Sequence, residues 1–313
     1  MEPRNLPDEG RNVFSSSRNL SRSAKLNTAS ASPAIVSWAE RIAQSLFATL
    51  FPSDCRLCGS PLINISRLPV CDECLDAMRP IAVGVCSICG EGLAGPYSWA
   101  GERGEIRCGL CQHATPPFVK AAAYGSYDGG LRELIHLLKY QQVRPASNIL
   151  GRMLAETISD LQPSFGETKL LVIPVPLHAR KLRQRGFNQS ELIARVSLKL
   201  LPAGNRLELS AGVLERQRET ASQIGLSRHQ RRENLRGAFR VLQPESVSER
   251  EILLVDDVFT TGTTVSECAR VLRKAGAHKV WVATVARTLR AEVQGAASPR
   301  DEEANHLSMA AHG

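Results

Sequence analysis

Apolar residues along the chain follow two recurring patterns, short continuous runs and stretches with one apolar residue every three or four positions. Continuous runs occupy 170–177 (L-L-V-I-P-V-P-L), 252–255 (I-L-L-V) and 280–285 (V-W-V-A-T-V). Such runs are typical of strands that are covered on both faces of a parallel sheet. A further strand is predicted over 121–127, which reads A-A-A-Y-G-S-Y.

Stretches with helical spacing follow these strands. They predict helices over 131–140, 187–201 and 263–275, the last of which ends at Gly276. Strands that alternate with helices in this way favour an α/β fold, in which a parallel sheet is flanked by helices. The low aromatic content of 5%, with 23 glycines and 17 prolines, agrees with such a fold and its many tight loops.

The two ends of the chain have a different composition. Residues 1–32 are rich in Ser, Asn and Arg and are predicted to be disordered, as is the tail over 291–313. Residues 33–51 have the spacing of an amphipathic helix, which we expect to pack on the next module; a membrane-surface role is the alternative. No run of 18 apolar residues occurs, so no membrane span is expected.

Eight of the nine cysteines form four C-x-x-C pairs, and only Cys268 stands alone. A C-x-x-C turn directs two thiolates towards one tetrahedral centre, and the absence of a secretory-signal pattern favours metal over disulfides. We therefore predict two structural zinc sites of four cysteines each; thioredoxin-like redox pairs fit less well, because they use one exposed motif near a βαβ unit. Pairing of neighbouring motifs needs the shortest loops, but the sequence leaves a crossed arrangement open. The predicted ligands are Cys55, Cys58, Cys71, Cys74, Cys86, Cys89, Cys108 and Cys111.

The stretch 251–264 (E-I-L-L-V-D-D-V-F-T-T-G-T-T) combines three features in a fixed order. A buried strand is followed by Asp256 and Asp257, and then by a run of hydroxyl residues with one glycine. The backbone N–H groups and Thr hydroxyls of such a loop can hold a phosphate at the N-terminus of the next helix. The carboxylates can accept hydrogen bonds from sugar hydroxyls, whereas an ordinary acidic turn would not need the hydroxyl run. The predicted phosphate-binding residues are Thr260, Thr261, Gly262, Thr263 and Thr264.

The formal net charge of +8 arises in the middle of the chain, where residues 120–240 hold 20 Lys and Arg against 10 Asp and Glu. Basic residues cluster in 178–188, directly after a predicted strand, which is where open α/β sheets bind ligands. We interpret this segment as a basic loop that faces pyrophosphate or a nucleic acid, with a merely solvated loop as the alternative. Arginines also crowd the irregular segment 214–239, which is interpreted as a mobile cover over an anionic ligand or a nucleic-acid contact.

The stretch 251–264 resembles the phosphoribosyl pyrophosphate (PRPP) motif of type I phosphoribosyltransferases. The C-x-x-C pairs, Y-D-G-G-L-R-E-L-I-H-L-L-K-Y, R-Q-R-G-F-N-Q-S-E-L-I-A and V-D-D-V-F-T-T-G-T-T occur in that order. This series is similar to the ComF family over about 34–289. That family contains bacterial phosphoribosyltransferase-like proteins, some of them associated with DNA uptake in natural competence.

The resemblance implies an N-terminal double zinc ribbon within 33–118 and a type I phosphoribosyltransferase fold over 119–290, in a bacterial cytoplasmic setting. It implies that PRPP or ribose 5-phosphate binds with Mg²⁺, and that Asp256 and Asp257 are the catalytic carboxylates. In the larger class a loop after an early strand holds the pyrophosphate. The residues at that place in this chain are Pro174, Val175, Pro176, Arg180, Arg183 and Arg185.

Two functions remain as hypotheses. As an enzyme, the protein would transfer a phosphoribosyl group to or from a nitrogenous base. As a non-catalytic protein, it would sense PRPP, or bind single-stranded DNA or DNA-uptake proteins. The scattered aromatic residues are too few for a platform on which bases stack.

Overall fold

The structure is a computed structural model that describes residues 53–62, 66–82, 84–93, 99–100, 105–202, 205–219 and 228–289. The two predicted disordered ends, 1–32 and 291–313, and the predicted helix over 33–51 lie outside the described residues. Within the described part of the chain, no helix is long and apolar enough to cross a membrane.

The described elements alternate between strands and helices for most of the chain. The strands are β1 (Trp99–Ala100), β2 (Ile106–Arg107), β3 (Lys120–Ser126), β4 (Leu170–Pro174), β5 (Leu207–Leu209), β6 (Leu214–Arg216), β7 (Phe239–Val241), β8 (Glu251–Phe259) and β9 (Lys279–Arg287). The helices are α1 (Asp72–Asp76), α2 (Gly109–His113), α3 (Gly129–Tyr140), α4 (Ala146–Leu161), α5 (Ala179–Arg185), α6 (Gln189–Leu200), α7 (Arg228–Leu235), α8 (Pro244–Val247) and α9 (Thr263–Lys274).

Five of these strands form the central sheet, in the order β3-β9-β8-β4-β5. Every neighbouring pair in this sheet is parallel. Since all strands run the same way, their carboxyl ends meet at one edge, and loops that follow them lie next to each other. The predicted fold class, a parallel sheet flanked by helices, is confirmed.

Alternate residues of the central strand β8 enter two separate cores, because successive strand side chains point to opposite faces. Leu253 and Val255 join the core that includes the buried faces of α3, α4 and α6. Ile252 and Leu254 join the core on the other face, with the buried residues of α9. A continuous apolar run is therefore explained by helices on both sides of the sheet.

The cysteines form two tetrads of neighbouring motifs, so the crossed arrangement does not occur. Cys55, Cys58, Cys71 and Cys74 make the first ribbon, and Cys86, Cys89, Cys108 and Cys111 make the second ribbon. Sγ–Sγ distances of 3.9 Å (Cys55–Cys74), 3.7 Å (Cys58–Cys71) and 3.6 Å (Cys89–Cys108) suit zinc. Four sulfurs at about 2.3 Å from one tetrahedral zinc lie about 3.8 Å apart.

The two ribbons lie on opposite faces of the sheet. Buried Cys55 belongs to the core with α3 and α4, whereas the four cysteines of the second ribbon belong to the core with α9. The second ribbon also covers the edge strand β3, since the Ala121 amide donates to the Ile88 carbonyl at 2.7 Å. Gly90 permits this close approach: its φ is +70°, and a Cβ there would lie 2.9 Å from the Ala121 carbonyl oxygen.

The basic segment after β4 is not a loop as predicted. Residues Ala179–Arg185 form the helix α5. His178 caps its start by accepting a hydrogen bond from the Arg180 amide, and Gly186, with a φ of +78°, ends it. Arginine, lysine and leucine have high helix propensity, which favours a helix over this basic run. The caps at His178 and Gly186 mark where its two turns begin and end.

We expect the chain to bind two zinc ions, and a chelator to remove them in two phases. The first ribbon includes the exposed Cys58, whereas all four cysteines of the second ribbon are buried. Access of the chelator is therefore easier at the first ribbon. Zinc release followed with a colorimetric indicator measures both the amount and the order.

Two matched variants assign the phases. Cys74→Ser should abolish the fast phase, and Cys111→Ser the slow phase. Elemental analysis that finds no zinc in purified protein, or a second ribbon that empties first, would contradict this prediction.

Candidate functional site

The two carboxylates lie inside β8 rather than after it. Asp256 and Asp257 are only 9% and 4% exposed and β8 runs on to Phe259, so the prediction that they follow the buried strand is wrong. The strand continues because its pairing with β9 extends to Phe259 opposite Arg287. Both acids are consequently part of the sheet and need partners within the protein.

The first turn of α6 supplies two of these partners. Ser190 Oγ donates to Asp256 Oδ1 at 2.9 Å, and Gln189 Nε2 donates to Asp257 Oδ1 at 3.2 Å. Asn188 fixes this turn, because its Oδ1 accepts from the Ser190 amide at 3.1 Å while its Nδ2 donates to the Val175 carbonyl at 3.1 Å. The sequence N-Q-S therefore orients the helix towards the acids.

Lys139, in the last turn of α3, forms an ion pair with Asp257. Lys139 is not among the functional residues that the sequence predicts. The available signal was a lysine among apolar residues, at the end of the run L-I-H-L-L-K-Y. Burial lowers the pKa of Lys139, but the charge of Asp257 and a hydrogen bond to it outweigh this effect, and the pKa lies above its usual value. Lys139 therefore stays charged.

The two carboxyl groups differ in charge state. Burial, followed by the negative charge of Asp257, raises the pKa of Asp256 to about 8. Burial acts in the same direction on Asp257, but the charge of Lys139 outweighs it and holds the pKa of Asp257 below its usual range. At neutral pH the acid pair thus presents one protonated carboxyl group and one carboxylate, which together can donate and accept hydrogen bonds.

The hydroxyl run forms the connection between β8 and α9. Gly262 stands at the N-cap of α9 with a φ of +73°, a conformation that favours glycine. Thr261 Oγ1 and Thr263 Oγ1 are 2.8 Å apart and share a hydrogen bond. The first backbone N–H groups of α9 have no partner within the helix, so this end of the helix attracts anions.

A cavity of about 210 Å³ joins the acid pair to the loop. It lies at the carboxyl edge of the sheet, where β8 and β4 end. Its lining includes the two acids, two hydroxyl residues of the loop, the three residues that follow β4, and two cations. The lining residues are Tyr127, Lys139, Val175, Pro176, Leu177, Gln189, Arg216, Asp256, Asp257, Val258, Thr260 and Thr264.

The arginines predicted to face pyrophosphate do not border this cavity. Arg180 pairs with Glu219 at 3.3 Å on the exposed side of α5, and Arg183 is exposed. Arg185 hydrogen-bonds the Gln189 side chain and lies over the Tyr140 ring at 5.7 Å. Pro174 is the last residue of β4, next to the lining residues Val175 and Pro176.

A different arginine borders the cavity. Arg216, the last residue of β6, lies over the ring of Phe239 at 5.5 Å from its centroid. Burial lowers the pKa of Arg216 from its usual value. The arginine-rich segment 214–239 is therefore represented in the site by one residue, and its other cations lie elsewhere or outside the described residues.

Comparison with known protein families agrees with this architecture. The double zinc ribbon domain matches residues 46–114, and the phosphoribosyl transferase domain matches residues 191–303. Both β3 and β4 precede the second match, so the sheet includes strands that the family model does not reach.

Similar proteins from bacteria extend over most of the chain. "DNA utilization protein YhgH" of Salmonella typhimurium is 33% identical over 241 residues, which are 76% of this chain and 98% of that protein. "Competence protein F" of Haemophilus influenzae is 30% identical over 226 residues, covering 69% and 96%. A hypoxanthine phosphoribosyltransferase structure from Staphylococcus aureus gives a TM-score of only 0.28 at 10% identity, over 47% of this chain and 68% of that one. From its two domains and these full-length relatives, the chain belongs to the ComF family of phosphoribosyltransferase-like proteins with an N-terminal double zinc ribbon.

Proposed function

We propose that this protein binds PRPP together with Mg²⁺ and transfers the phosphoribosyl group to or from a nitrogenous base. One observation supports the proposal above all. Two buried carboxyl groups line the same cavity as Thr260 and Thr264, the two ends of the hydroxyl run, at the carboxyl edge of a parallel sheet. A ribose 5-phosphate needs an anion site with hydroxyl-binding groups next to it, and this cavity offers both.

The loop would hold the 5-phosphate. Its hydroxyls and the first backbone N–H groups of α9 are donors, and the N-terminal end of the helix favours a negative charge. The ribose 2′ and 3′ hydroxyls would lie on the acid pair. The protonated Asp256 can donate to one sugar oxygen, and the ionised Asp257 can accept from the neighbouring hydroxyl.

The donor set also fits magnesium, a hard cation that takes oxygen ligands and retains water. Asp257, and Asp256 once the cation displaces its proton, would supply carboxylate oxygens, and the diphosphate of PRPP would supply further oxygen ligands. When bound, Mg²⁺ neutralises charge on the leaving pyrophosphate. Lys139 and Arg216 border the cavity and supply further positive charge from the chain itself.

Transfer would break the bond between the anomeric carbon and a pyrophosphate oxygen, and the electron pair would leave with pyrophosphate. The acceptor nitrogen would form the new bond to the same carbon. Positive charge develops on the ribose ring during this step, and the carboxylate of Asp257 stabilises it. The protein acts mainly by holding these charges in place, so substitution of Asp256, which is not part of the ion pair with Lys139, should affect catalysis more than overall fold.

A second candidate is non-catalytic. The protein would sense PRPP or bind single-stranded DNA during DNA uptake. It is favoured by the exposed Arg180 and Arg183, which lie outside the cavity, and by the words "DNA utilization" and "Competence" in the names of its relatives. Exposed arginines can contact a phosphate backbone without reading its sequence.

Asp256→Asn should weaken PRPP binding without unfolding the protein. An asparagine oxygen can accept the hydrogen bonds that Ser190 Oγ and the Asp257 amide now donate to Asp256 Oδ1. We expect the affinity for Mg²⁺ and PRPP to fall at least about tenfold, or roughly 1.4 kcal/mol, because an amide cannot lose a proton to become a carboxylate ligand for Mg²⁺. Calorimetric titration measures the affinity, and thermal denaturation provides the control for folding. Unchanged affinity in a stable variant would refute the role of this carboxyl group.

Asp257→Asn should instead destabilise the protein, because it leaves Lys139 buried without its counter-charge. Breaking a buried ion pair from one side costs about 3–5 kcal/mol of folding free energy. The double variant with Lys139→Met should recover much of this stability but not PRPP binding. Chemical denaturation of the parent, both single variants and the double variant measures the coupling. Additive losses would show that the ion pair does not contribute as described.

Arg216→Met should weaken the binding of PRPP more than that of ribose 5-phosphate, because its charge faces the diphosphate. A variant with Arg180, Arg183 and Arg185 all replaced by Met is the matched comparison. The same selective loss there would support these arginines as pyrophosphate contacts, whereas a salt-dependent loss of oligonucleotide affinity alone would support DNA binding. Equal losses of PRPP and ribose 5-phosphate in Arg216→Met would contradict the assignment of Arg216.

A further inference from the structure

A buried ion pair joins the second ribbon to the last strand of the sheet. Arg287, the final residue of β9, donates to the Glu91 carboxylate at 2.5 Å and to the Cys89 carbonyl oxygen at 2.5 Å. Arg287 is 3% exposed and Glu91 is 6% exposed. A pair of charges so far from water is tolerated only while both partners remain in place.

The fold of the second ribbon fixes the two oxygen atoms that accept hydrogen bonds from Arg287. The Cys86 amide donates to the Glu91 carbonyl at 2.8 Å, and the Gly90 amide donates to the Cys86 carbonyl at 2.9 Å. The loop that connects these residues also carries the ligand Cys89. Both oxygens that bind Arg287 therefore depend on the conformation that the cysteines of the second ribbon impose.

On its other side, Arg287 contacts Phe259, the residue directly before the Thr260–Thr264 loop. Its guanidinium carbon lies 4.5 Å from the centroid of the Phe259 ring, a cation–π arrangement. Phe259 in turn packs under Gly262: a Cβ at Gly262 would lie 2.5 Å from this ring. The Thr288 amide, directly after Arg287, donates to the Phe259 carbonyl at 3.0 Å. The position of Phe259, and with it the start of the loop, follows the position of Arg287.

We propose that Arg287 is a positioning residue for the Thr260–Thr264 loop, and that Glu91 and Cys89 of the second ribbon hold it in place through the ion pair. The second ribbon is then a support of the phosphate site as well as a cover for the sheet. The proposed role in ligand binding rests on the proposed function, whereas the role in holding the loop does not. Arg287 does not line the cavity that contains Asp256 and Asp257, and it reaches the loop through Phe259.

The same two strands contain a matched control at their other end. Glu251 and Lys279, the first residues of β8 and β9, are register partners and form an ion pair at 3.4 Å. Glu251 is 5% exposed and also accepts from the Gly166 amide at 2.9 Å. Loss of this pair should reduce stability without reaching the loop, because the whole length of both strands separates it from Phe259.

The test compares Arg287→Met, Glu91→Gln and Glu251→Gln in the full-length, zinc-loaded protein. Amide hydrogen exchange over residues 259–266 is measured without ligand, and the affinity for ribose 5-phosphate is measured by calorimetry. The Ser266 amide, which donates to the Gly262 carbonyl at 2.9 Å, reports on loop order. Zinc content and thermal stability are recorded for each variant.

In Arg287→Met we expect the amides of residues 259–266 to exchange faster than in the parent. We also expect the affinity for ribose 5-phosphate to fall at least about tenfold. Glu91→Gln, which keeps the carbonyl contact, should show a smaller change in the same direction and serves if Arg287→Met does not fold. Glu251→Gln should leave both measurements within about twofold of the parent, even where its stability loss is equal.

The proposal would be overturned if the loop amides of Arg287→Met or Glu91→Gln exchanged at the same rate as those of Glu251→Gln. A parent protein that binds no ribose 5-phosphate would instead refute the proposed function, and the exchange comparison would still decide the role of Arg287.

Discussion

The site depends on a single constraint, the burial of two adjacent carboxyl groups inside the central strand of a parallel sheet. Neither group can be left without partners at this depth. Lys139 reaches Asp257 from α3, and Gln189 and Ser190 reach the pair from α6. Three segments that are far apart in sequence are thereby brought to one point. The helices around this edge of the sheet are positioned as much by charge as by apolar packing.

The two ribbons extend this dependence to the N-terminal half of the chain. Each lies on a different face of the sheet and contributes cysteines to the core of that face. The ribbons contain few apolar residues of their own, so they pack on the sheet and share its cores rather than forming separate ones. A binding site at the carboxyl edge of the sheet is therefore built by a body that includes both ribbons.

The sequence predicted those features that are local. The apolar runs located β4, β8 and β9, and the C-x-x-C pairs identified the two tetrads. It could not predict the Lys139–Asp257 pair, because more than a hundred residues separate the partners. It ended the strand at Val255 and placed Asp256 and Asp257 after it, because the apolar run stops there and only the pairing of β8 with β9 shows that the strand continues to Phe259. The helix α5 was not predicted, although its signals are local. The positive charge of this segment was taken as the mark of a ligand-binding loop, and its helix propensity and caps were given less weight.

The cover over β3 bears on how the protein stays in solution. An edge strand has a row of unpaired N–H and C=O groups that can recruit a strand from another molecule. The opposite edge of the sheet, β5, has three residues and offers a short template, but β3 has seven, with the sequence K-A-A-A-Y-G-S. The second ribbon lies along this longer edge and bonds to it through Ile88. The Ile81 amide, which lies between the two ribbons, donates to the Tyr124 carbonyl near the end of β3, so opening of the second ribbon would expose the start of this strand, around Ala121, to pairing with another molecule. Metal occupancy of the second ribbon would thus limit self-association.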